Sequence, residues 1–281
     1  IGQHRLPRDI LDNELDYIRK LGVQFITSHP VDLLGDIEKF KHDFDAVILT
    51  TGCWSDRMPG VPGEELEGVE GCLGFLNRYY RGEIERLDEK VAVIGDGNAA
   101  FDLARTLRRI GAHVTILSWF PEEIIPADED EIKGAGDEEI PIMDQVQVIY
   151  FSGQNGKLEK LHLRPTKPGV QDAQGIPWPM IIPGSDAVDL EFDRAIVAIG
   201  QSGPFKDASS STGFNLTDRG FIDVDETAST NLTAVFAAGD AVTGPSSVVE
   251  AMASGRAVAR FVHKKISGEE SQTTFALRPE E

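Results

Sequence analysis

A glycine turn between a buried strand and a helix constrains this chain more than any other feature. Residues 91–94 read Val-Ala-Val-Ile, and Gly95-Asp96-Gly97 separates them from an Ala-, Leu- and Arg-rich helical pattern and a second strand at 113–117. The order strand, glycine turn, helix, strand is that of a βαβ unit. We therefore predict an α/β fold built around this unit.

The same turn has the composition of a pyrophosphate site. Gly95 permits the tight turn, Gly97 allows close backbone approach to a phosphate, and Ala100 is small enough for close packing of helix and strand. The helix N-terminus then directs its N–H groups and its dipole at the phosphates. A purely structural βα turn is the alternative. The predicted phosphate-binding residues are Gly95, Asp96, Gly97, Asn98, Ala99 and Ala100.

Composition excludes several classes of function. The 281 residues carry a formal net charge of −20, which argues against binding to nucleic acid or to anionic membranes. No apolar run reaches the roughly 20 residues of a membrane span, and no signal peptide opens the chain, so we expect a cytoplasmic protein. The chain starts at Ile1 and its opening residues resemble the middle of a protein, so we expect a fragment, a processed form or an excised domain.

The two cysteines and six histidines do not predict a metal or dithiol site. Cys53 and Cys72 belong to no CxxC pair, which excludes a zinc ribbon, an iron–sulfur ligand set within the chain and a redox dithiol. The histidines lack the spacing of metal ligands. We predict no metal site.

Periodicity predicts the order of elements along the chain. Helices are expected at 9–21, 71–82, 129–134 and 247–266, a β-hairpin from 146, and strands at 23–27, 47–50, 188–192, 195–199, 221–224 and 234–238. One dinucleotide fold is thus inserted between two halves of another unit. The predicted domains are 1–86, 87–202 and 203–281.

That arrangement and several motifs resemble one family over nearly the whole chain. The chain is similar to the two-dinucleotide-binding-domain flavoproteins, and among them to the glutamate synthase small (β) subunit and its relatives. The motifs are HRLPRDILDNEL (4–15), LTTGCW (49–54), VPGE (61–64), VIGDGNAAFDLARTLRRIGAHVTIL (93–117), IPA (125–127), AIGQ (198–201) and VFAAGDAVTGPSSVVEAMASGRAVA (235–259).

The resemblance implies a Rossmann-like NAD(P)H domain at 87–202 inserted into a partial FAD-binding domain formed by 1–86 and 203–281. It places Gly239 and Asp240 against the ribityl-phosphate of the flavin and the helix start at Ser247, Val248 and Val249 toward the isoalloxazine ring. For Asp240 the alternative is a helix or turn cap. The resemblance adds three more cofactor-binding residues, namely Gly200 and, at the crossover between the domains, Thr51 and Gly52. For Thr51 the alternative is an ordinary strand-end turn.

Two departures from the family pattern concern the cofactors. The glycine fingerprint that holds the FAD pyrophosphate lies, in the family, upstream of the segment resembling residues 1–15, and this sequence has no second one. We therefore expect weak or no FAD binding by the isolated chain, and an outer sheet that is exposed at an edge, rearranged or completed in a homodimer. Residues 118–122 read Ser-Trp-Phe-Pro-Glu where NADPH-using relatives carry arginines, which favours NADH over NADPH, with Glu122 as a candidate ribose acceptor; a solvated loop residue is the alternative.

The implied activity is that of an FAD-dependent NAD(P)H oxidoreductase. Hydride passes from the nicotinamide to FAD, and electrons go on to an iron–sulfur centre in an upstream segment or partner subunit, with a larger catalytic subunit beyond it. Hydride transfer requires alignment rather than an acid or a base, so we predict no catalytic side chain. The alternative is a nucleotide-binding or scaffold module without redox activity in isolation.

Overall fold

A computed structural model describes residues 1–172, 175–203, 205 and 213–268, without the side chain of Leu34. Seven α-helices are described: α1 (Arg8–Lys20), α2 (Leu33–Asp43), α3 (Cys72–Tyr80), α4 (Asn98–Arg109), α5 (Glu129–Asp137), α6 (Asp240–Thr243) and α7 (Val248–Ser267). The strands described are β1 (Val47–Leu49), β2 (Ser55–Asp56), β3 (Val69–Gly71), β4 (Lys90–Ile94), β5 (His113–Leu117), β6 (Ile142–Met143), β7 (Val146–Gln154), β8 (Lys157–Lys167), β9 (Met180–Ile181), β10 (Val188–Glu191), β11 (Arg194–Val197), β12 (Gln201–Ser202) and β13 (Val235–Ala237).

The chain divides into two compact units. The first comprises Ile1–Phe25 and Asp56–Gly200, and the second comprises Ile26–Ser55 and Gln201–Glu281. These bounds differ from the predicted domains, because residues 1–25 and 56–86 lie with the first unit. The predicted division into FAD and NAD(P)H domains stays a prediction.

The first unit is built on a parallel five-stranded sheet in the order β3-β11-β4-β5-β6. One face carries the apolar side of α4, where Phe101, Leu103 and Leu107 are fully buried. The other face packs on the antiparallel β10-β8-β7 sheet through Ile94 and Leu163, among others. Parallel strands covered on both faces read as continuous apolar runs, as β4 does. The predicted α/β, Rossmann-like fold is confirmed.

Residues 1–25 join the rest of the first unit through ion pairs rather than through a strand. Arg5 Nη1 donates to Asp102 Oδ2 on α4, and Arg5 Nε lies 2.9 Å from Glu131 Oε1 on α5. The following helix, α1, contains no buried residue. The predicted strand at 23–27 is wrong, because none of the described strands pairs with it and a strand requires a partner.

The second unit has a smaller parallel pair of strands. Val47 pairs with Val235 and Leu49 with Ala237 in the β1–β13 ladder. Its buried residues pack in two groups, one around Ile37 and Ile222 and the other around Phe236. The predicted strand at 221–224 is reduced to an isolated bridge between Leu216 and Ile222.

Candidate functional site

The glycine turn after β4 has the conformation that the sequence indicates. Gly95 has φ +136°, and a Cβ added there would lie 2.3 Å from the carbonyl oxygen of Ala198. Its amide donates to the carbonyl of Leu117 at 3.0 Å, which fixes the turn against β5. Only glycine combines this φ with such close backbone approach, so residue 95 is determined by the local geometry.

The start of α4 leaves backbone donors available. Gly97 is the N-cap residue, and Ala100, three residues later, is fully buried against the sheet. In the described part of the chain, no group accepts from the backbone N–H of Asn98 or Ala99. The Asn98 side chain is engaged, because its Nδ2 donates to Asp128 Oδ2 at 2.9 Å and its Oδ1 accepts from the Asp128 amide at 2.7 Å. A helix N-terminus with free amides is an anion site.

The Asp96 carboxylate holds the chain that follows β5. Its Oδ2 lies 3.0 Å from Ser118 Oγ and accepts from the Trp119 amide at 3.0 Å and from the Phe120 amide at 3.4 Å. Ser118 is fully buried, and its Oγ also lies 2.8 Å from the Phe120 carbonyl. The sequence indicated Asp96 as part of the phosphate turn but gave no sign of this contact with the end of β5.

Gly200 and Arg57 lie at the carboxyl end of the same sheet. Gly200 has φ +107°, and its carbonyl accepts from the Arg57 amide at 3.1 Å. A Cβ at Gly200 would lie 3.7 Å from Arg57 Cδ. Arg57 is exposed and forms no ion pair with any described residue, and no sequence motif indicates it. Ligands of open α/β sheets bind at this edge, so Arg57 joins the candidate residues.

Glu122 lies on an exposed turn rather than in the sheet. It opens the 3₁₀ turn Glu122–Ile124, and its amide donates to Asp144 Oδ2 at 3.0 Å. Its side chain is exposed. Its role as a ribose acceptor stays a prediction.

The second unit contains the residues that the resemblance assigned to FAD. Thr51 follows β1, and its Oγ1 is buried without a hydrogen-bond partner among the described residues. Gly52 and Gly239 have positive φ values of 69° and 67°. Asp240 Oδ1 accepts from Ser246 Oγ at 3.0 Å, and burial raises the pKa of Asp240 although the Ser246 hydrogen bonds act to lower it.

A capping box starts α7. The Glu250 amide donates to Ser247 Oγ at 3.2 Å, and the Ser247 amide donates to Glu250 Oε2 at 2.8 Å. Within the described residues, the amides of Val248 and Val249 have no acceptor. The side chain of Val249 is 75% exposed. The start of this helix therefore offers free donors beside apolar side chains.

Both thiols are buried, and their raised pKa values indicate low reactivity. Burial raises the pKa of Cys53 and of Cys72 to about 12. Cys53 Sγ donates to the carbonyl of Asp240, and both cysteines are free. Since the thiolate is the reactive form, neither residue is suited to dithiol exchange.

Two polar clusters lie outside these sites. His4, Asp102 and Glu131 have ligand atoms within 4.8 Å of one another, but Arg5 pairs with both carboxylates and Arg105 pairs with Glu131. The cluster therefore already contains cations that balance its charge. A second set links three strands of the antiparallel sheet and stacks against Tyr150, with Ser152 Oγ 2.7 Å from His162 Nε2 and His162 Nδ1 2.6 Å from Asp189 Oδ1.

Comparison with known families assigns the fold. The family model for pyridine nucleotide-disulphide oxidoreductases matches residues 13–255. The chain belongs to this family. Its place among the pyridine nucleotide-disulphide oxidoreductases confirms the resemblance drawn from the motifs, and relatives in the family are NAD(P)H-dependent oxidoreductases.

Curated relatives are longer than this chain. It is 33% identical over 267 residues to the NADP(+)-dependent formate dehydrogenase subunit beta of Moorella thermoacetica, covering 92% of the chain and 37% of the relative. It is 30% identical to the NADPH-Fe(3+) oxidoreductase subunit beta of Geobacter sulfurreducens, covering 94% and 43%. It is also 30% identical to the glutamate synthase [NADPH] small chain of Mycobacterium tuberculosis, covering 95% and 59%. The chain thus spans between about a third and three fifths of these relatives.

Solved structures show the same fold at low identity. Mycobacterium tuberculosis FprA in complex with NADPH superposes with a TM-score of 0.65 at 18% identity, covering 82% of this chain and 66% of FprA. Thioredoxin reductase of T. acidophilum gives 0.61 at 20% identity, covering 79% and 66%. Among the described helices, none is both long and apolar enough to cross a membrane.

Proposed function

We propose that this chain is part of an FAD-dependent NAD(P)H oxidoreductase that passes electrons on to an iron–sulfur centre in a partner. The observation that carries the proposal is the Gly95–Ala100 turn, which leaves the amides of Asn98 and Ala99 free at the start of α4 in a chain of this family. Relatives of this chain are named as β subunits or small chains, which supports a larger partner subunit.

The first unit supplies the residues for the pyridine nucleotide. The free amides at the start of α4 and the backbone of Gly95 fit a pyrophosphate, which needs donors and close approach. Arg57, exposed at the same sheet edge, adds positive charge for an anionic ligand. These residues bind and orient, which is the contribution that hydride transfer requires of a protein.

The second unit fits a flavin at two points. The buried Thr51 Oγ1 lacks a partner within the described chain, and a buried hydroxyl without one is costly unless a ligand supplies it. The free amides of Val248 and Val249 lie beside the exposed apolar side chains of Val249 and Met252, a combination that suits a planar ring with polar edges. FAD bound there would accept hydride and release electrons one at a time. The capping box at Ser247 holds those amides in place.

Flavin titration tests the proposal directly. The purified chain is titrated with FAD and followed by visible absorption, and the loaded protein is then reduced anaerobically with NADH or NADPH. Because the sequence contains no second glycine fingerprint for the FAD pyrophosphate, we expect weak but saturable flavin binding at high FAD concentration, followed by bleaching of the flavin bands. Failure of FAD and of both nucleotides to bind would contradict the proposal.

The variant Thr51→Val removes the unpartnered hydroxyl without changing the shape of the side chain. If that hydroxyl contacts the flavin, FAD affinity falls while the thermal midpoint holds or rises. Thr243→Val is the matched control, because the Thr243 hydroxyl already donates within the protein, to the Gly239 or Gly244 carbonyl. Equal FAD affinity in Thr51→Val and wild type would remove Thr51 from the site.

A second function has one observation in its favour, namely the lack of another glycine fingerprint in the sequence. On that reading, the isolated chain is a nucleotide-binding module without redox activity. A colourless protein that binds pyridine nucleotide but no FAD would support it. Size measurement by sedimentation distinguishes a monomer from the homodimer that we propose as a way to complete the β1–β13 sheet.

A further inference from the structure

The carboxylate of Asp96 lies at the end of β5, the position at which dinucleotide-binding folds bind the adenosine ribose. In such folds an acidic residue at the end of the second strand accepts the ribose 2′-hydroxyl of NAD. Here the second strand is β5, and the residue at its end is Ser118. Asp96 Oδ2 contacts Ser118 Oγ and the Trp119 amide, at 3.0 Å each, so an acid from the glycine turn occupies the end of β5.

The other candidates at this position cannot serve equally well. Ser118 is fully buried, and its hydroxyl proton goes to Asp96 or to the Phe120 carbonyl. Glu122 is exposed on a separate turn, and its backbone amide donates to the Asp144 carboxylate. Asp96 is held by three donors that all converge on Oδ2. In the described part of the chain its second oxygen, Oδ1, has no partner and is free to accept.

The surroundings of Asp96 are unsuited to a phosphate. In the described residues, no Lys or Arg pairs with Asp96, Glu122 or Asp144, whereas all three are acidic. The segment after β5 reads Ser-Trp-Phe-Pro-Glu-Glu, without a basic residue. A 2′-phosphate placed at Asp96 would therefore meet a carboxylate with which no described Lys or Arg pairs, and like charges in contact are strongly unfavourable.

We propose that Asp96 makes this chain specific for NADH: its free carboxylate oxygen accepts the 2′-hydroxyl of the adenosine ribose and excludes the 2′-phosphate of NADPH. The inference rests on the proposed function, because it requires that the glycine turn binds a pyridine nucleotide. It separates this chain from the relatives whose names specify NADP. Specificity then resides in the glycine turn, through a contact that only the folded chain brings to the end of β5.

Calorimetric titration of the full chain with NADH and with NADPH tests this inference without relying on catalysis. We expect NADH to bind about tenfold or more tightly, since tenfold corresponds to about 1.4 kcal/mol and like-charge contacts cost at least that. Because the discrimination is electrostatic, raising the salt concentration should narrow the ratio of the two dissociation constants. Equal affinity for both nucleotides in low salt would overturn the inference but leave the proposed function standing.

Asp96→Asn then identifies the residue. The asparagine keeps an acceptor for the Trp119 and Phe120 amides but removes the charge. We therefore expect the ratio of the NADPH and NADH dissociation constants to approach one, mainly because NADPH binds more tightly. Glu123→Gln is the matched control, since it removes one charge from the same segment at an exposed position. If Glu122→Gln, and not Asp96→Asn, brings the two dissociation constants together, the assignment to Asp96 is wrong. Failure of the wild-type chain to bind either nucleotide would overturn the inference, and failure to bind FAD as well would overturn the proposed function.

Discussion

The α-carbon of Gly95 lies directly against the carbonyl oxygen of Ala198, so that a Cβ on residue 95 would be 2.3 Å from that oxygen. The contact joins the turn after β4 to the chain that follows β11, at the carboxyl edge of the sheet. We predict that Gly95→Ala destabilises the protein by more than about 2 kcal/mol, because the φ of +136° is unfavourable for alanine and backbone must move. Urea unfolding followed by circular dichroism measures the change.

Gly97→Ala is the comparison for that experiment. Gly97 has φ −85°, and a Cβ there has no atom within 4 Å. Its free energy of unfolding should stay within about 1 kcal/mol of wild type. Equal losses for the two substitutions would show that the Ala198 contact does not determine residue 95.

The capping box of α7 gives a second prediction. Ser247→Ala removes the side-chain acceptor of the Glu250 amide and should cost about 1 kcal/mol of stability. Chemical unfolding of wild type and variant measures it. Glu250→Gln retains an acceptor for the Ser247 amide and should cost less. A larger loss in Glu250→Gln than in Ser247→Ala would contradict the hydrogen-bond assignment.

Acid should weaken the contact between α4 and α5 through Glu138. Burial alone would raise the pKa of this carboxyl, but hydrogen bonds and charge from Arg109 and Arg105 outweigh burial and lower it. The folded pKa lies below the unfolded one, so the stabilisation is present above the unfolded value and is lost as pH falls through the folded value. Unfolding free energies measured across the acid range should show this loss.

Glu138→Gln should flatten that acid dependence and lower stability at neutral pH. Asp137→Asn serves as control, because Asp137 is exposed at the end of α5, directly before Glu138, and pairs with no cation in the described chain. An unchanged pH profile in Glu138→Gln would show that the two arginines do not stabilise the fold through this carboxylate.

The thiols give a prediction about the redox mechanism. Because burial raises the pKa of both Cys53 and Cys72 to about 12, a thiol reagent should react slowly with the folded protein and fully after denaturation. Spectroscopic thiol counting at neutral pH measures the two rates. Rapid reaction of either thiol in the native state would contradict its burial and its raised pKa.

Local patterns predicted the first unit well, because its elements carry their own signals. The apolar run of β4, the glycine turn and the helical spacing of α4 are contiguous in the sequence, and the structure reproduces their order. The strand expected at 23–27 failed because strand formation depends on a partner that no local pattern reveals. The helix α2 was missed, and Gly35 interrupts its sequence.

The contacts that define the candidate site were less predictable than its glycines. Gly95 could be identified because its conformation excludes other residues. The contact between Arg57 and Gly200 and the contact between Asp96 and Ser118 each join residues that are far apart in the sequence. The spacing of motif residues does not indicate either contact. The same applies to Arg5, which contacts α4 and α5 although it precedes them by more than 90 residues in the sequence.

The division of the chain affects how it can be dissected. The polypeptide passes between the two units three times, near residues 25, 55 and 200. A single proteolytic cut at any one crossing leaves the units covalently joined, and a cut near residue 25 releases a peptide that Arg5 still attaches to α4 and α5 by ion pairs. A piece that contains only 56–200 would lack residues 1–25, so separate expression of the first unit requires both segments.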